Sequence, residues 1–598
     1  MCGILGYVGE QQSNLSSFFL EGLERLEYRG YDSAGFAVFE PSQIQLFKEV
    51  GPVSRLSARV GGHHLPGSIG VGHTRWATHG GVTVANAHPH LDCSESIAVV
   101  HNGIVENYQA LKKRLSDNGH RFASDTDTEV VAHLIEEELE GARGYSPMDF
   151  AAAVFRAFGQ LTGLNAIVAG STEVPSLALF RLGSPLAVGL NSTAALVSSD
   201  LPTLSTYADG VLLLDDGEGA LLSLDQPPVC FDAQGQPGTK QTEHLSMAQD
   251  TVDKGSYPYY MLKEIYEQPD VLARIAAYPS APIGEATEMI QRAFGTYFTA
   301  CGTASYAALE ATYLFSHIAR KHVNFAVGSE FYFLEDFLVE DSLLVAASQS
   351  GETMDAIEAV RAAKRHGSQV MALVNVPGSS LARLADFSLD LYAGAEMCVV
   401  GTKSYTAKLA VFSLLAYAVA GKQAEGRATL ETTSKSLSRL FSEGLDERIQ
   451  RLARRLVAAE HLFLIGRDVN YPTALEAAMK IKETSYVHAE GLAGGELKHG
   501  PIALIEDGTP CIVFAANDRS RDSLLSNAIE MRSRGASIIG IGPEREDVFD
   551  EYVHVPDAGH ASPIVNVVPA QLLGYHLAVE RGLDPDKPRN LAKSVTVK

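Results

Sequence analysis

The second half of the chain contains two copies of one strand–helix pattern. The segments YFTACGTASYAALEA and LFLIGRDVNYPTALEAAMK place Glu310 and Glu476 in matching positions, 166 residues apart. Around them, apolar strand-like runs such as SLLVAAS and PCIVFAA alternate with Ala-rich helical segments. This alternation is typical of parallel sheets that are covered by helices on both faces. The repeat therefore predicts two α/β doubly wound domains that arose by duplication.

The first 240 residues follow a different pattern. Short β-like runs such as GILGYVG and SIAVVHNG occur in blocks with a few helical patches, which is typical of α+β layers. A polar, weakly periodic stretch follows them. We therefore expect a first domain at 1–240, a linker at 241–256, and two α/β domains at 257–430 and 431–598.

The net charge of the chain limits the kinds of molecule that it is expected to bind. Lys and Arg number 48 and Asp and Glu number 72, so the formal net charge is −24. Such a surface repels phosphate backbones and anionic lipids, so we expect no nucleic-acid and no membrane partner. An anionic small molecule would need a local pocket of hydrogen-bond donors.

The cysteines and glycines also exclude several kinds of site. The six cysteines form no C-x-x-C pair, so we expect neither a disulfide framework nor a zinc knuckle. No His/Cys cluster has the sequence spacing of a metal site, and no G-x-G-x-x-G opens a βα unit, so we expect no metal and no organic cofactor. The start lacks a signal-peptide pattern, and no apolar run reaches the roughly 18–20 residues of a membrane helix. These features predict a reduced, cytoplasmic protein.

Cys2 is a candidate nucleophile. If Met1 is removed, the Cys2 thiol lies beside a free α-amino group, whose pKa near about 8 allows it to accept the thiol proton. The alternative is a small buried apolar residue, since free cysteine is often that.

Polar residues in three other segments fit an amide substrate. Asn102 and Gly103 at the end of the run SIAVV could hold an oxyanion, and Arg75 could bind a carboxylate through two parallel hydrogen bonds. Asp127 is either a partner for a substrate ammonium group or an ordinary anion at a helix start. Trp76, the only Trp in the chain, is either a core residue or a mobile lid.

These residues occur within longer motifs that carry a resemblance. MCGILGYVG, RLEYRGYDSAG, HTRWATHG, NAHPH, VVHNGIVEN and TDTEV together resemble the glutaminase domain of class II glutamine amidotransferases. The resemblance implies an N-terminal-nucleophile hydrolase with a four-layer αββα fold, in which Cys2 attacks the side-chain amide of glutamine. It also implies an oxyanion hole made by Asn102 and Gly103, a nucleophile turn supported by Arg29 and Gly30, and glutamine contacts from Arg75, Trp76, Thr78, His88 and Asp127.

The segment SQSGET at 348–353 is a candidate anion site. It follows a strand and begins a helix, where free N–H groups and the helix dipole favour an anion, and its hydroxyl and amide side chains add uncharged donors. This pattern suits a sugar phosphate, although a helix start with incidental serines remains the alternative. SQSGET, NVPGSSL and ACGT resemble the sugar isomerase (SIS) domain, a phosphosugar-binding module.

A charged stripe follows in the second repeat. Glu476, Lys480 and Glu483 share one face of the helix predicted over TALEAAMKIKETSY, which is either a solvated ion-pair stripe or part of a site. ALEAAMKIKETSYVHAEGLAGGELKHGP and PRNLAKSVTV resemble the glucosamine-6-phosphate synthase family, and with the earlier motifs this resemblance covers essentially the whole chain. It implies conversion of glutamine and fructose 6-phosphate into glutamate and glucosamine 6-phosphate, the first step of hexosamine biosynthesis.

That resemblance also implies residue roles. His499 would assist opening of the sugar ring in the neighbouring subunit of a homodimer, Lys593 would form an imine with the C2 ketone, and Glu483 would move a proton between C1 and C2. Ammonia from Cys2 would travel unprotonated past Trp76, Ala592 and Val595. The implied contacts with the sugar phosphate are Cys301, Gly302, Thr303, Ser348, Gln349, Ser350, Thr353, Val399, Lys480, Glu483 and Ala592.

Three positions depart from the family pattern. Gly401 and Ala304 replace the usual serines, and Lys598 replaces the usual terminal Glu. Gly401 keeps open a related amidotransferase that acts on a different ketose phosphate. A sugar-phosphate sensor built on SIS domains is the alternative of another class, although it needs a DNA-reading or partner-binding helix that the −24 charge does not favour.

Overall fold

The computed structural model describes residues 2–139, 144–244 and 253–596. They fall into two compact units, one made of Met1–Ala248 with Ser594–Lys598 and one made of Gln249–Lys593. Met1, Lys598 and part of the predicted linker at 241–256 lie outside the described residues.

The first unit contains two large, mostly antiparallel sheets. One has eight strands in the order β15-β11-β9-β10-β1-β4-β2-β3, and the other has seven in the order β14-β13-β12-β8-β7-β6-β5. The strands are β1 (Gly3–Gln12), β2 (Ser33–Glu40), β3 (Gln43–Val50), β4 (Gly67–Arg75), β5 (His90–Leu91), β6 (Ile97–Gly103), β7 (Asn165–Ser171), β8 (Ser176–Leu182), β9 (Ala187–Leu190), β10 (Ala194–Ser198), β11 (Gly210–Leu213), β12 (Gly219–Ser223), β13 (Gln226–Phe231), β14 (Pro237–Gly238) and β15 (Glu243–His244).

Helices cover the outer face of both sheets. They are α1 (Leu15–Leu26), α2 (Val53–Val60), α3 (Tyr108–Asp117), α4 (Glu129–Leu139), α5 (Pro147–Phe158) and α6 (Leu201–Leu204). Helix α5 shows how local sequence sets a boundary. Ser146 accepts a hydrogen bond from the Asp149 backbone N–H while the Asp149 carboxylate accepts one from the Ser146 backbone N–H, and Pro147 starts the helix.

Side-chain alternation along the strands produces three apolar cores. On β1, Leu5 and Tyr7 pack with α1 and α2, whereas Ile4 and Val8 point into the core between the two sheets. On β6, Val99 joins the third core, which contains residues of α3, α4 and α5. Since alternate side chains of a strand face opposite sides, strands buried on both faces require apolar residues at nearly every position. The result is the four-layer αββα arrangement, which confirms the predicted fold of this part.

The second unit contains two parallel five-stranded sheets with the same strand pattern. Their orders are β17-β16-β18-β19-β20 and β22-β21-β23-β24-β25. The strands are β16 (Gly295–Ala300), β17 (Asn324–Val327), β18 (Ser342–Ser348), β19 (Gln369–Val374), β20 (Phe387–Asp390), β21 (His461–Gly466), β22 (His488–Ala493), β23 (Pro510–Phe514), β24 (Ser537–Gly542) and β25 (Glu551–His554). In each sheet the first strand in the chain lies second in the order, which fits the duplication inferred from the repeat.

The helices of the second unit pack on these sheets and on each other. They are α7 (Tyr260–Tyr266), α8 (Gln268–Ala276), α9 (Ser280–Arg292), α10 (Thr303–Leu314), α11 (Gly328–Phe331), α12 (Met354–Arg365), α13 (Ser380–Leu384), α14 (Lys403–Val419), α15 (Gln423–Ser442), α16 (Leu445–Leu456), α17 (Asn470–Ser485), α18 (Arg521–Arg532) and α19 (Ser562–Glu580). Helix α14 is buried from Lys403 to Tyr417, whereas α16 buries one face through Leu445, Ile449 and Leu452. The predicted doubly wound α/β architecture is therefore confirmed.

The predicted linker begins within the first unit. Its residues Glu243–His244 form β15, which pairs with β11 at the edge of the eight-stranded sheet. The predicted domain boundaries otherwise remain predictions.

Candidate functional site

Cys2 immediately precedes β1, which lies between β10 and β4 in the first sheet. Its Sγ accepts a hydrogen bond from the Trp76 backbone N–H, with 3.3 Å between the two atoms. Burial raises the pKa of the Cys2 thiol, although the Trp76 N–H and the Arg75 charge act in the opposite direction. Because a thiol and not a thiolate then prevails at neutral pH, a proton acceptor is needed for nucleophilic attack.

The backbone of Cys2 is held on two sides. Its carbonyl oxygen accepts hydrogen bonds from Asn102 Nδ2 at 3.0 Å and from Arg29 Nε at 3.5 Å. Arg29 is buried, and its Nη1 lies 3.1 Å from Asp200 Oδ1. The second oxygen of Asp200 accepts the backbone N–H of Thr203 at 2.9 Å. The buried ion pair therefore gives the turn around Cys2 a fixed position.

A buried histidine orients Asn102. His73 Nε2 lies 3.1 Å from Asn102 Oδ1 and 3.0 Å from the His101 carbonyl oxygen, so Nε2 carries a hydrogen and donates. Burial lowers the pKa of His73 to about 3, so the ring is neutral. With its oxygen occupied by His73, the Asn102 amide must direct its NH₂ group toward Cys2. His88 stacks on His73 with 4.0 Å between ring centroids.

Gly103 follows Asn102 at the end of β6 and needs to be glycine. Its φ is 134°, and a Cβ atom there would lie 2.0 Å from the Leu164 carbonyl oxygen. This conformation and this close contact exclude a side chain. The residue pairs with Asn165 on β7.

Two of the residues predicted to contact glutamine also form hydrogen bonds within the protein. Arg75 Nη2 donates to the His79 carbonyl at 2.5 Å and its Nη1 donates to the Gly81 carbonyl at 3.2 Å, which closes the loop after β4. Asp127 Oδ2 accepts the Val105 backbone N–H at 2.8 Å, a partner outside α4.

The remaining two predicted contacts in this unit differ in exposure. Thr78 is exposed, whereas Trp76 is half-buried and packs edge-on against Tyr31 with 5.7 Å between ring centroids. The pure core interpretation of Trp76 therefore does not fit.

In the second unit, SQSGET forms a closed turn before α12. Ser348 Oγ accepts the Gly351 backbone N–H at 3.0 Å and lies 3.0 Å from Thr353 Oγ1, while Ser350 Oγ accepts the Glu352 backbone N–H at 3.2 Å. Gly351 has φ of 67°, and a Cβ there would lie 2.0 Å from Ser379 Oγ. The turn thus gathers hydroxyls at the N-terminus of a twelve-residue helix.

The neighbouring strand β16 ends at the same sheet edge, since β16 and β18 are parallel and adjacent. Cys301 and Gly302 follow it, and Thr303 begins α10. Thr303 Oγ1 accepts a hydrogen bond from Lys480 Nζ of the second repeat at 2.8 Å. This bond connects the two repeats beside the predicted phosphate turn.

The predicted charged stripe on α17 is mostly buried. Lys480 Nζ donates to Glu483 Oε2 at 2.7 Å and lies 3.4 Å from Glu476 Oε1. The side chains of Lys480 and Glu476 are completely buried, and 22% of the Glu483 side chain is exposed. Burial raises the pKa of Glu476 to about 8 against the opposing charge of Lys480. The alternative of a solvated ion-pair stripe is therefore wrong.

Lys593 is held by a carboxylate that the sequence analysis did not single out. Its Nζ donates to Glu396 Oε2 at 2.5 Å and to the Cys398 carbonyl at 2.7 Å. Burial alone would raise the pKa of Glu396, but the charges of Lys593 and Lys408 and the hydrogen bonds that it accepts hold it at about 2. Lys408 is a second cation near Glu396, but the direct partner of Lys593 is an anion.

The other predicted sugar contacts lie on loops of this unit. His499 is exposed at the end of a 3-10 turn, Gly494–His499. The Val399 backbone N–H donates to the Asp586 carbonyl at 3.1 Å, and Ala592 directly precedes Lys593. The Gln349 carbonyl accepts the Asn375 backbone N–H at 3.1 Å.

Gly401, where the resemblance predicts a serine, has room for a side chain in ordinary contact with its neighbours. A Cβ at Gly401 would lie 3.4 Å from Ser404 Oγ and 3.8 Å from Glu396 Oε2, which are ordinary contacts. A serine there would therefore fit without strain.

Comparison with known proteins identifies the family. The family model for a glutamine amidotransferase domain matches residues 58–156, and the model for the SIS domain matches residues 289–418 and 455–581. Glutamine–fructose-6-phosphate aminotransferase (isomerizing) of Thermococcus kodakarensis is 42% identical over 608 residues, and the enzyme of the same name from Thermus thermophilus is 41% identical over 616 residues. Both alignments cover the whole of each chain. The chain belongs to the family of isomerising glutamine–fructose-6-phosphate aminotransferases.

A solved structure from this aminotransferase family matches the second unit. The C-terminal domain of glucosamine-fructose-6-phosphate aminotransferase from Francisella tularensis is 33% identical, with a TM-score of 0.52, and the match covers 56% of this chain and 99% of that one. A putative phosphosugar isomerase from Silicibacter pomeroyi is 26% identical, with a TM-score of 0.50, over 55% of this chain and 100% of that one. Within the described part of the chain, no helix combines the length and apolarity that crossing a membrane requires.

Proposed function

We propose that this chain converts glutamine and fructose 6-phosphate into glutamate and glucosamine 6-phosphate. The observation that carries the proposal is the buried Lys593 amine, which a carboxylate holds at 2.5 Å in a chain whose full-length relatives bear the name of this reaction. A second nucleophile, the Cys2 thiol, supports the glutamine half of the reaction.

In the glutamine half-reaction, Cys2 Sγ attacks the carbon of the side-chain amide. The C–N bond breaks, ammonia leaves with the thiol proton relayed through the α-amino group, and water hydrolyses the thioester to glutamate. Asn102 Nδ2 carries two hydrogens. One is donated to the Cys2 carbonyl, and the other is available to the oxyanion together with the Gly103 N–H. His73 holds this amide in the required orientation.

We propose that residues around the loop after β4 bind glutamine. Arg75 donates to loop carbonyls, and we propose that its remaining donors bind the substrate carboxylate while Asp127 binds the ammonium group. We propose that Trp76, Thr78 and His88 line the site on either side of the substrate.

In the sugar half-reaction, the Lys593 amine attacks the C2 ketone after it loses a proton, and water leaves as the imine forms. Ammonia then replaces the lysine at C2. Glu483 takes a proton from C1 and returns it to C2, which converts the ketose imine into the aldose amine. Lys480 donates to Glu483 and to Thr303, so it positions the base beside the first repeat.

We propose that the phosphate group binds at the turn before α12, where the helix N-terminus and uncharged donors stabilise an anion without requiring a cation. The residues assigned to the sugar phosphate are Cys301, Gly302, Thr303, Ser348, Gln349, Ser350, Thr353, Val399 and Ala592.

The cytoplasmic location of the protein remains a prediction.

Isotope transfer tests the reaction. With glutamine labelled with ¹⁵N at the amide, the product should carry ¹⁵N at C2 of an amino sugar phosphate. Cys2→Ala should abolish the glutamine-dependent product but keep slow sugar isomerisation, and Lys593→Arg should abolish the product while glutamine hydrolysis persists. Borohydride should trap sugar on the wild type only. Unlabelled product, or trapping on Lys593→Arg, would contradict the proposal.

We propose that His499 acts in the site of a second subunit, so the enzyme is a homodimer. Neither His499→Ala nor Lys593→Arg alone should form product. Mixed dimers of the two variants contain one site with both wild-type residues, so mixing after subunit exchange should restore activity. No restoration in verified mixed dimers would show that His499 acts within its own chain.

A second candidate is amination of a different ketose phosphate. The absence of a side chain at Gly401 favours it, because a serine would fit there and its hydroxyl could contact the sugar. A panel of ketose phosphates, compared by kcat/KM, separates the two candidates.

A further inference from the structure

Four side chains from three segments of the first unit converge on one point. They are Cys93 after β5, His120 after α3, and His133 and Glu136 on α4. One potential ligand atom from each lies within 4.8 Å of all the others. None of these residues belongs to the glutamine site described above.

The distances between these atoms are close to those around a tetrahedral ion, and the two nitrogen–oxygen distances are slightly shorter. Cys93 Sγ lies 3.5 Å from His133 Nδ1 and 3.7 Å from His120 Nδ1. Glu136 Oε2 lies 2.9 Å from His120 Nδ1 and 3.1 Å from His133 Nδ1. Ligands bound tetrahedrally at about 2.0–2.3 Å from Zn²⁺ are themselves separated by about 3.3–3.7 Å. Small shifts would therefore complete the site.

The contacts among these four side chains are shared among several partners. Each imidazole directs Nδ1 toward both the Cys93 sulfur and the same Glu136 oxygen, but one N–H has a single hydrogen. The same oxygen also accepts the Cys93 backbone N–H at 3.2 Å. A cation at the centre would satisfy the sulfur, the two nitrogens and the oxygen together.

Surrounding groups fit a metal site as well. His133 Nε2, on the far side of its ring, is buried without a hydrogen-bond partner and faces Glu129 Oε1 at 3.7 Å. A small shift would make this carboxylate the partner that metal-bound histidines commonly have. The Arg121 backbone N–H donates to Cys93 Sγ at 3.4 Å, so the sulfur points into the cluster with a backbone contact behind it. Cys93 is exposed, so an ion can reach the site from solvent.

We propose that Cys93, His120, His133 and Glu136 bind one Zn²⁺ ion. One thiolate, two imidazoles and one carboxylate suit a borderline-soft divalent cation, and four protein ligands leave no open position, which is typical of a structural site. The sequence expectation of no metal site considered spacing along the chain only. Here the ligands come from three segments, with Cys93 and His133 40 residues apart, and folding brings them together.

The ion would join elements next to the glutamine site. His120 and His133 flank the segment that contains Asp127, and Glu129 accepts the backbone N–H groups of Ala123 and Ser124 at 2.7 Å each. Zinc binding should therefore order residues 121–128 and stabilise the first unit.

Metal content is the direct test. The full-length protein, without a histidine tag, is prepared metal-free and then dialysed against Zn²⁺. It should then contain one equivalent of zinc per chain, measured by elemental mass spectrometry. Co²⁺ should give a thiolate charge-transfer band. Cys93→Ser and His133→Gln should weaken binding at least about 100-fold, and Glu129→Gln should weaken it about 10–100-fold. EDTA should increase hydrogen exchange of residues 121–128 in the wild type but not in Cys93→Ser.

An exposed histidine pair provides the control. His461 and His488 lie 3.2 Å apart at Nδ1 and could bind zinc weakly. His461→Gln should retain the full equivalent of zinc. The proposal is wrong if wild type and Cys93→Ser bind equally, or if zinc is lost in His461→Gln and kept in Cys93→Ser. It is also wrong if folded wild type, verified by far-ultraviolet circular dichroism, binds no zinc.

Discussion

The ion pair between Lys593 and Glu396 can be tested by one change, Glu396→Gln, which keeps the shape of the side chain and removes its charge. Glu396 Oε2 accepts from Lys593 Nζ at 2.5 Å and from Ser404 Oγ at 2.8 Å. Its Oε1 accepts the backbone N–H groups of Thr402 and Ser404 at 3.0 Å each. A glutamine must direct its NH₂ group at one of these two sets of donors.

The expected loss of stability follows from the pKa of Glu396. That pKa lies at about 2 in the folded protein and ordinarily at 4.5, which corresponds to about 3 kcal/mol. Removing one partner of a buried ion pair costs about 3–5 kcal/mol in general. We therefore expect Glu396→Gln to lower the free energy of unfolding of the second unit by about 3 kcal/mol at pH 7.

The pH dependence has a definite sign. Because the folded pKa lies below the unfolded one, the contribution of Glu396 is present above pH 4.5 and is lost as the pH falls toward about 2. The difference between wild type and Glu396→Gln should therefore be full at pH 7 and should shrink below pH 4.5.

Urea-dependent hydrogen exchange of α14 peptides measures this difference, since the only Trp of the chain, Trp76, lies in the first unit. Exposed Glu431→Gln is the matched control, and its effect should stay within about 0.5 kcal/mol. A cycle with Lys593→Met isolates the pair. A loss below about 1 kcal/mol, or an equal loss in the Lys593→Met background, would refute the reasoning.

Three further changes test the geometry of the sites. Gly103→Ala should destabilise the first unit by about 3 kcal/mol and reduce glutamine hydrolysis, because its Cβ would meet the Leu164 carbonyl at 2.0 Å. Unfolding and hydrolysis equal to those of the wild type would contradict this. Arg29→Gln should leave Asp200 without its buried cationic partner and destabilise the same unit by about 3–5 kcal/mol. Trp76 fluorescence measures this unfolding, and a change below about 1 kcal/mol would refute the expectation. Gly401→Ser should change stability by less than about 1 kcal/mol and lower KM for the preferred ketose phosphate, and an unchanged KM would show that this position does not contact the sugar.

The sequence allowed the fold class to be predicted because its signals are local. The alternation of strands and helices in the second half required only periodicity, and the repeat around Glu310 and Glu476 predicted two similar sheets, which have the same strand order in the structure. Motifs such as MCGILGYVG and SQSGET located the candidate nucleophile and the candidate phosphate turn. Each is a short stretch that can be recognised along the chain before any tertiary contact is known.

Partners distant in sequence could not be predicted in the same way. Glu396 belongs to no motif that we singled out, yet it is the ion-pair partner of Lys593, 197 residues away. Cys93 and His133 converge although 40 residues separate them. Such contacts depend on strand pairing and helix packing across the fold, and neither leaves a pattern along the chain.

The amino-acid sequence by itself determined which elements form and which chemical groups the chain carries. Only the tertiary structure decided which of those groups are buried and paired, as the α17 stripe shows, since its pattern fitted a solvated face and the fold buried Lys480 and Glu476 completely. The physical reason is that the energy of a charge depends on removal of its water and on the neighbours that replace it. Those neighbours are set by the whole fold.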